Sequence, residues 1–195
     1  MLLLFVISLF FLSDSINDIY FPPQMAELAC ILAGGIAAGI YPSDTKDQVT
    51  FKAKHSGAVV AVVQNKTKAD VFLSAASAGE LPKLKAIVVW DESGGLPAST
   101  TSIDIMSWNA LVKLGQSGNN QSLDERMEAQ QPGNCCAYIY TSGTTGMPKA
   151  VMISHDNILF EARVAMDMIP GMGMGGERII SYLPLSHVAG MMVCV

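Results

Sequence analysis

The sequence predicts an α/β protein with a mostly parallel sheet flanked by helices. Three observations carry that prediction. Short all-apolar runs at residues 58–63 (AVVAVV) and 86–90 (AIVVW) have the look of strands buried on both faces. Helix-like stretches alternate with them along the chain. Capping and stop residues such as Thr45, Gly57, Ser107 and Ser154 punctuate the alternation.

The elements follow in order. Residues 24–35 are small and apolar and predict a packed helix. Residues 36–41 predict a short strand ended by Pro42. Asp44 or Thr45 can cap a helix running to His55, with Gly57 at its C-terminal end. The strand at 58–63 follows, then a helix at 68–78 and the strand at 86–90. Residues 94–101 form a Gly/Pro/Ser/Thr loop. Ser107 caps a helix through Leu114, and the polar stretch 115–122 reads as a surface loop. A short helix at 124–130 is stopped by Pro132 and Gly133. A strand at 137–140 leads into a Gly-rich loop, and a strand at 151–153 leaves it. Ser154 caps an amphipathic helix at 156–168. Residues 171–176 are a Gly/Met loop, 179–183 a strand, and the chain is helical from His187.

Apolar residues make up 50% of the 195 positions and charged residues 15%, which excludes a disordered chain. Formal net charge is -5, with 12 basic residues scattered among 17 acidic ones, so a nucleic-acid partner is excluded as well. Cys30, Cys135, Cys136 and Cys194 show no metal-ligand spacing, and an adjacent pair is a poor disulfide framework. They read as buried, reduced thiols of a reducing compartment. The methionines at 166–174 and at 191–192 read as flexible core filler in preference to an acyl-binding surface.

Residues 1–23 stand apart as an atypical apolar segment, and residues 24–195 as the domain proper. The run at 1–12 (MLLLFVISLFFL) is shorter than the roughly 20 residues that span a bilayer. It carries no Lys or Arg ahead of it, as a signal peptide would. A signal-like segment, a membrane-surface anchor and a false gene start are the open readings. The third is preferred, because nothing downstream looks secreted.

The chemistry lies in residues 140–149, YTSGTTGMPK. Gly143 and Gly146 let the backbone turn so that N–H groups face an anion. Thr141, Ser142, Thr144 and Thr145 place four hydroxyls within five residues. Lys149 supplies a mobile positive charge, and Pro148 stiffens the exit. A plain Ser/Thr/Gly turn rarely concentrates these groups after a buried strand. The loop is not a Walker A loop, since Lys149 follows Pro148 and precedes Ala150. Residues 34–39 (GGIAAG) lack dinucleotide-fingerprint spacing and read as small residues for close packing.

Thr141 to Lys149 resembles the signature loop of the adenylate-forming superfamily, which holds acyl-CoA synthetases, luciferases and peptide-synthetase adenylation domains. Residues 183–187 (LPLSH) are similar to its second motif, and residues 33–42 to the helix-strand step of its long-chain members. The form SYLPLSH, with residues 154–157 (SHDN) after the loop, resembles the bubblegum-type long-chain acyl-CoA synthetases. The resemblance covers about residues 24–195 and implies a partial N-terminal domain of such an enzyme.

It implies a two-step reaction on ATP with Mg2+, a long-chain fatty acid and coenzyme A. The loop would grip the β- and γ-phosphates through Thr141, Ser142, Gly143, Thr144, Thr145, Gly146 and Lys149. His187 would stand near the acyl and adenylate pocket, although a helix-capping histidine is an equal reading. No residue is assigned to metal. Ala150 departs from the family's Gly and could obstruct a tight backbone angle. The acidic magnesium motif, the ribose aspartate and the C-terminal lysine domain have no counterpart in these residues. Little or no ligase activity is therefore expected of this chain alone. A non-catalytic nucleotide-binding remnant is the alternative, and a small secreted or anchored protein a third. The expected location is the cytoplasm, with association at the endoplasmic reticulum surface left open.

Overall fold

A seven-stranded sheet runs through the protein in the order β5-β4-β3-β1-β2-β6-β7. The computed structural model describes residues 6–9, 21–41, 43–99, 102–118, 120–141 and 148–168. Its strands are β1 (Val6–Leu9), β2 (Ile36–Ala38), β3 (Val60–Val63), β4 (Ala86–Val89), β5 (Asp104–Ser107), β6 (Cys135–Thr141) and β7 (Lys149–Ser154). Its helices are α1 (Phe21–Leu32), α2 (Lys46–Ser56), α3 (Lys66–Ser77), α4 (Trp108–Gln116), α5 (Asn120–Glu128) and α6 (His155–Met168). Every strand pairing is parallel except β6 with β7.

The all-apolar runs work because successive side chains leave opposite faces of a strand. Ala61 and Val63 of β3, with Ile87 and Val89 of β4, pack against Val49 and Ala53 of α2 and Ala69, Phe72 and Ala75 of α3. Val62 and Val88 point the other way and meet Ala26 and Cys30 of α1, with Trp108 and Leu111 of α4 beside them. Burying Phe72 alone contributes about 1.5–3 kcal/mol. A third cluster joins Cys136, Ala137 and Ile158 of α6 to Ile31 and Ile153.

The caps are where the sequence places them. Thr45 accepts from Gln48 N while the Gln48 side chain accepts from Thr45 N at 2.8 Å, a reciprocal capping box. Ser107 accepts from Ala110 N at 3.2 Å and Ser154 from Asn157 N at 3.2 Å. Helix α2 ends at Gly57, which is left-handed (φ 67) and whose N–H reaches the carbonyls of Ala53 and Lys54. Gly34 (φ 75) does the same after α1, so the small stretch at 34–39 is first of all a helix stop.

Two strands and one helix differ from expectation. Val6–Leu9, set apart with residues 1–23, forms β1 in the middle of the sheet, paired in parallel with β2 and β3. An interior parallel strand calls for an unbroken apolar run, and a secretion core has the same composition. Asp104–Ser107 forms β5, an edge strand with one partner and an exposed first residue, so it lacks the all-apolar signature. The polar stretch 115–122 holds the end of α4 and the start of α5. No residue of α5 is buried, so no apolar periodicity marks it. Among the described residues no helix is long and apolar enough to cross a membrane.

Candidate functional site

Parallel strands present all their C-terminal ends on one side of a sheet, the side where open α/β folds place ligands. Thr141 is the last residue of β6 and stands on that edge. There the chain turns and returns as the antiparallel strand β7, which Lys149 opens. Thr141 and Lys149 are partners across the ladder, and Thr141 Oγ1 donates to the Lys149 carbonyl at 3.4 Å. Both side chains are exposed, and Pro148 beside them is half-buried. The connection therefore has a closed neck, with a hydroxyl and an ammonium at its two roots.

Ser142, Gly143, Thr144, Thr145 and Gly146 lie outside the described residues, as does His187. Ala150 lies within β7 opposite Tyr140. No described residue other than glycine has a positive φ, so Ala150 adopts ordinary extended backbone. The expected obstruction does not arise, because its methyl meets no left-handed turn. Met166 and Met168 are exposed on α6 and fill no core in this structure. Cys30 and Cys136 are buried, as the sequence suggests, and Cys135 is half-buried. Cys136 is pushed up to about 11, first by burial and then by Cys135, the Glu27 carboxyl adding to the effect.

Below the neck lies a polar cluster that sequence reading missed. Tyr140 is buried, and its hydroxyl donates to the Lys52 carbonyl at 3.1 Å while His55 Nδ1 stands 3.1 Å away. Burial pushes the Tyr140 phenol up to about 12, so it stays neutral and can donate. The Lys52 ammonium is buried and paired with Asp44. It lies 5.2 Å from the Tyr41 ring centre and 5.5 Å from that of Tyr140. Asp44 Oδ2 also accepts from Tyr41 N at 2.8 Å. One available signal was the position of Lys52 on the core-facing stripe of α2, at i+3 from Val49 and one residue before Ala53. A lysine there requires a buried partner.

Among the described residues no group of His, Cys, Asp or Glu is arranged to hold a metal ion. These residues offer no set of donors for Mg2+.

The chain is 34% identical over 171 residues to "Long-chain-fatty-acid--CoA ligase ACSBG2" of Xenopus laevis, covering 87% of this chain and 22% of that protein. It is 38% identical over 162 residues to "Long-chain-fatty-acid--CoA ligase ACSBG1" of Rattus norvegicus, covering 82% of this chain and 22% of that one. The chain thus spans about a fifth of the length of these relatives. ATP-bound MatB from Rhodopseudomonas palustris shares the fold, with a TM-score of 0.60 and 18% identity over 98% of this chain and 33% of that one. Residues 24–195 match the family described as AMP-binding enzyme, and the chain belongs to that family.

Proposed function

We propose that this chain carries the phosphate-gripping part of a long-chain fatty acid–CoA ligase. The observation that carries the reading is the Thr141–Lys149 neck at the C-terminal edge of the sheet, closing a connection rich in hydroxyls and glycine. Ser142, Gly143, Thr144, Thr145 and Gly146 would turn N–H and O–H groups onto the β- and γ-phosphates of ATP. Thr141 and Lys149 would hold the rim, the ammonium offsetting phosphate charge.

In the reaction so served, a fatty acid carboxylate oxygen attacks the α-phosphorus of ATP. The bond to the bridging oxygen breaks, and pyrophosphate leaves with its electrons. The thiol of coenzyme A, losing its proton, then attacks the acyl carbon, and AMP departs. Carboxylate and triphosphate repel each other, so the protein's contribution is to neutralise charge and fix the line of attack. Mg2+ would enter with the nucleotide, and His187 would face the acyl and adenylate pocket. The location that goes with this reading is the cytoplasm, at or near the endoplasmic reticulum surface where a lipid substrate would be presented.

Support comes from the family, from the long-chain ligases it resembles, and from ATP bound in a neighbour of the same fold. Calorimetric titration with ATP tests the reading, using Thr144→Val and Lys149→Ala as loop variants. Saturable binding that both variants weaken is the expected result. Binding indifferent to both would overturn it.

A further inference from the structure

We propose that Tyr140 is a positioning residue for the phosphate loop, fixing its root through a buried hydroxyl clamped to helix α2. The inference rests on the proposed function and adds a residue that touches no substrate.

The last buried side chain before the loop is Tyr140, and the next residue, Thr141, is already in solvent. Whatever holds Tyr140 therefore sets where the loop begins. Lys52, His55 and Ser56 hold it, Ser56 through a side-chain hydrogen bond to the phenol. Its hydroxyl proton goes to the Lys52 carbonyl at 3.1 Å. His55 Nδ1 lies within hydrogen-bond distance of the same oxygen, at 3.1 Å. The Lys52 ammonium lies 5.5 Å from its ring centre, and the His55 ring meets the Tyr140 ring edge-on.

The same lysine reaches a second strand end. Lys52 pairs with Asp44, which accepts from the Tyr41 backbone just beyond β2, and Lys52 lies over the Tyr41 ring. Strands β2 and β6 are neighbours, so α2 ties two adjacent strand ends together beneath the loop. A preformed anion site needs this rigidity, because a loop ordered only on binding loses affinity to the entropy of ordering. Had the cluster served packing alone, an apolar ring would fill the space without a polar chain reaching from Asp44 to Tyr140.

The test is calorimetric titration of the full chain with ATP and, separately, with inorganic tripolyphosphate. Tyr140→Phe keeps the ring and removes the hydroxyl. His55→Ala, at an exposed position, removes a partner should Tyr140→Phe fail to fold. Ser107→Ala removes the cap of α4, at the far edge of the sheet, and serves as the control for destabilisation without loop contact. Tyr140→Phe is expected to weaken both ligands by roughly five- to tenfold, and His55→Ala by roughly two- to threefold, the scale of a lost hydrogen bond. Ser107→Ala is expected to lower Tm and leave both affinities unchanged. Affinities of Tyr140→Phe and His55→Ala within the range of Ser107→Ala, while Lys149→Ala loses binding, would overturn the positioning role and spare the loop. Wild-type protein that binds neither ligand overturns the loop reading and this proposal with it.

Discussion

Tyr140 and Lys52 are joined from two sides: the phenol hydroxyl donates to the lysine's carbonyl at 3.1 Å, and the lysine's ammonium lies 5.5 Å from the phenol's ring centre. A strand residue and a helix residue 88 positions apart in sequence are thereby held as one unit beneath the loop. Several expectations rest on this arrangement and on its surroundings.

Lys149→Ala should separate binding from folding. The side chain is exposed at the mouth of the neck. Stability should change by no more than about 0.5 kcal/mol. ATP affinity should fall by roughly tenfold or more, the scale of a charge-assisted hydrogen bond to phosphate. Paired thermal melts and titrations measure both quantities.

Ala150→Gly restores the residue that the resemblance leads one to expect after the loop lysine. Ala150 sits in regular antiparallel strand with ordinary φ, so glycine gains no accessible turn there. The substitution should cost about 0.5–1 kcal/mol of stability through lost backbone restriction. It should leave ATP affinity unchanged, and an increase in affinity would show that the methyl obstructs the loop.

Glu27 makes stability depend on pH. Its carboxyl is buried on α1, Oε2 has no hydrogen-bond partner, and burial pushes it up from 4.5 to about 8. The folded state holds it neutral while the unfolded chain ionises above pH 4.5. The protein should therefore be most stable, in this respect, near pH 4.5 and lose stability as pH rises to about 8. The full effect is on the order of 4–5 kcal/mol. Glu27→Gln should flatten that dependence, with the variant gaining most over wild type near pH 8 and little near pH 4.5. Urea unfolding across this range provides the measurement.

Thr45→Ala breaks the reciprocal cap of α2, the helix that carries Lys52 and His55. A loss of about 1–2 kcal/mol is expected. Thr45→Ser keeps the hydroxyl and should recover most of it. Equal losses in the two variants would show that the methyl's packing, not the cap, holds the helix start.

The parts of this fold legible in the sequence are those with local signatures. Residues 58–63 and 86–90 declare themselves as interior strands because both faces must be apolar, and they contain β3 and β4. Thr45, Ser107 and Ser154 mark helix starts because a side-chain oxygen must meet an unpaired N–H. β5 escaped notice because an edge strand needs no apolar pattern, and α5, expected at 124–130, begins four residues earlier because an exposed helix has no apolar stripe to mark its start. β1 was hidden by ambiguity, since an apolar run suits a membrane, a secretory leader or a sheet interior equally well. At the site, residue types alone marked Thr141 and Lys149. The cluster of Tyr41, Asp44, Lys52, His55 and Tyr140 is built from contacts as far as 88 positions apart, which no local pattern encodes.

β1 is the single strand standing between β5-β4-β3 on one side and β2-β6-β7 on the other. It precedes the other six strands in the chain, so both of its neighbours are made after it. Assembly thus has the order of an arch: the keystone is cut first and must wait, unsupported, for the two flanks to arrive. Trimming residues 1–9 would leave β2 and β3 with open edges, and α1 and α2, which pack across both flanks, would be left to bind one half of the sheet to the other.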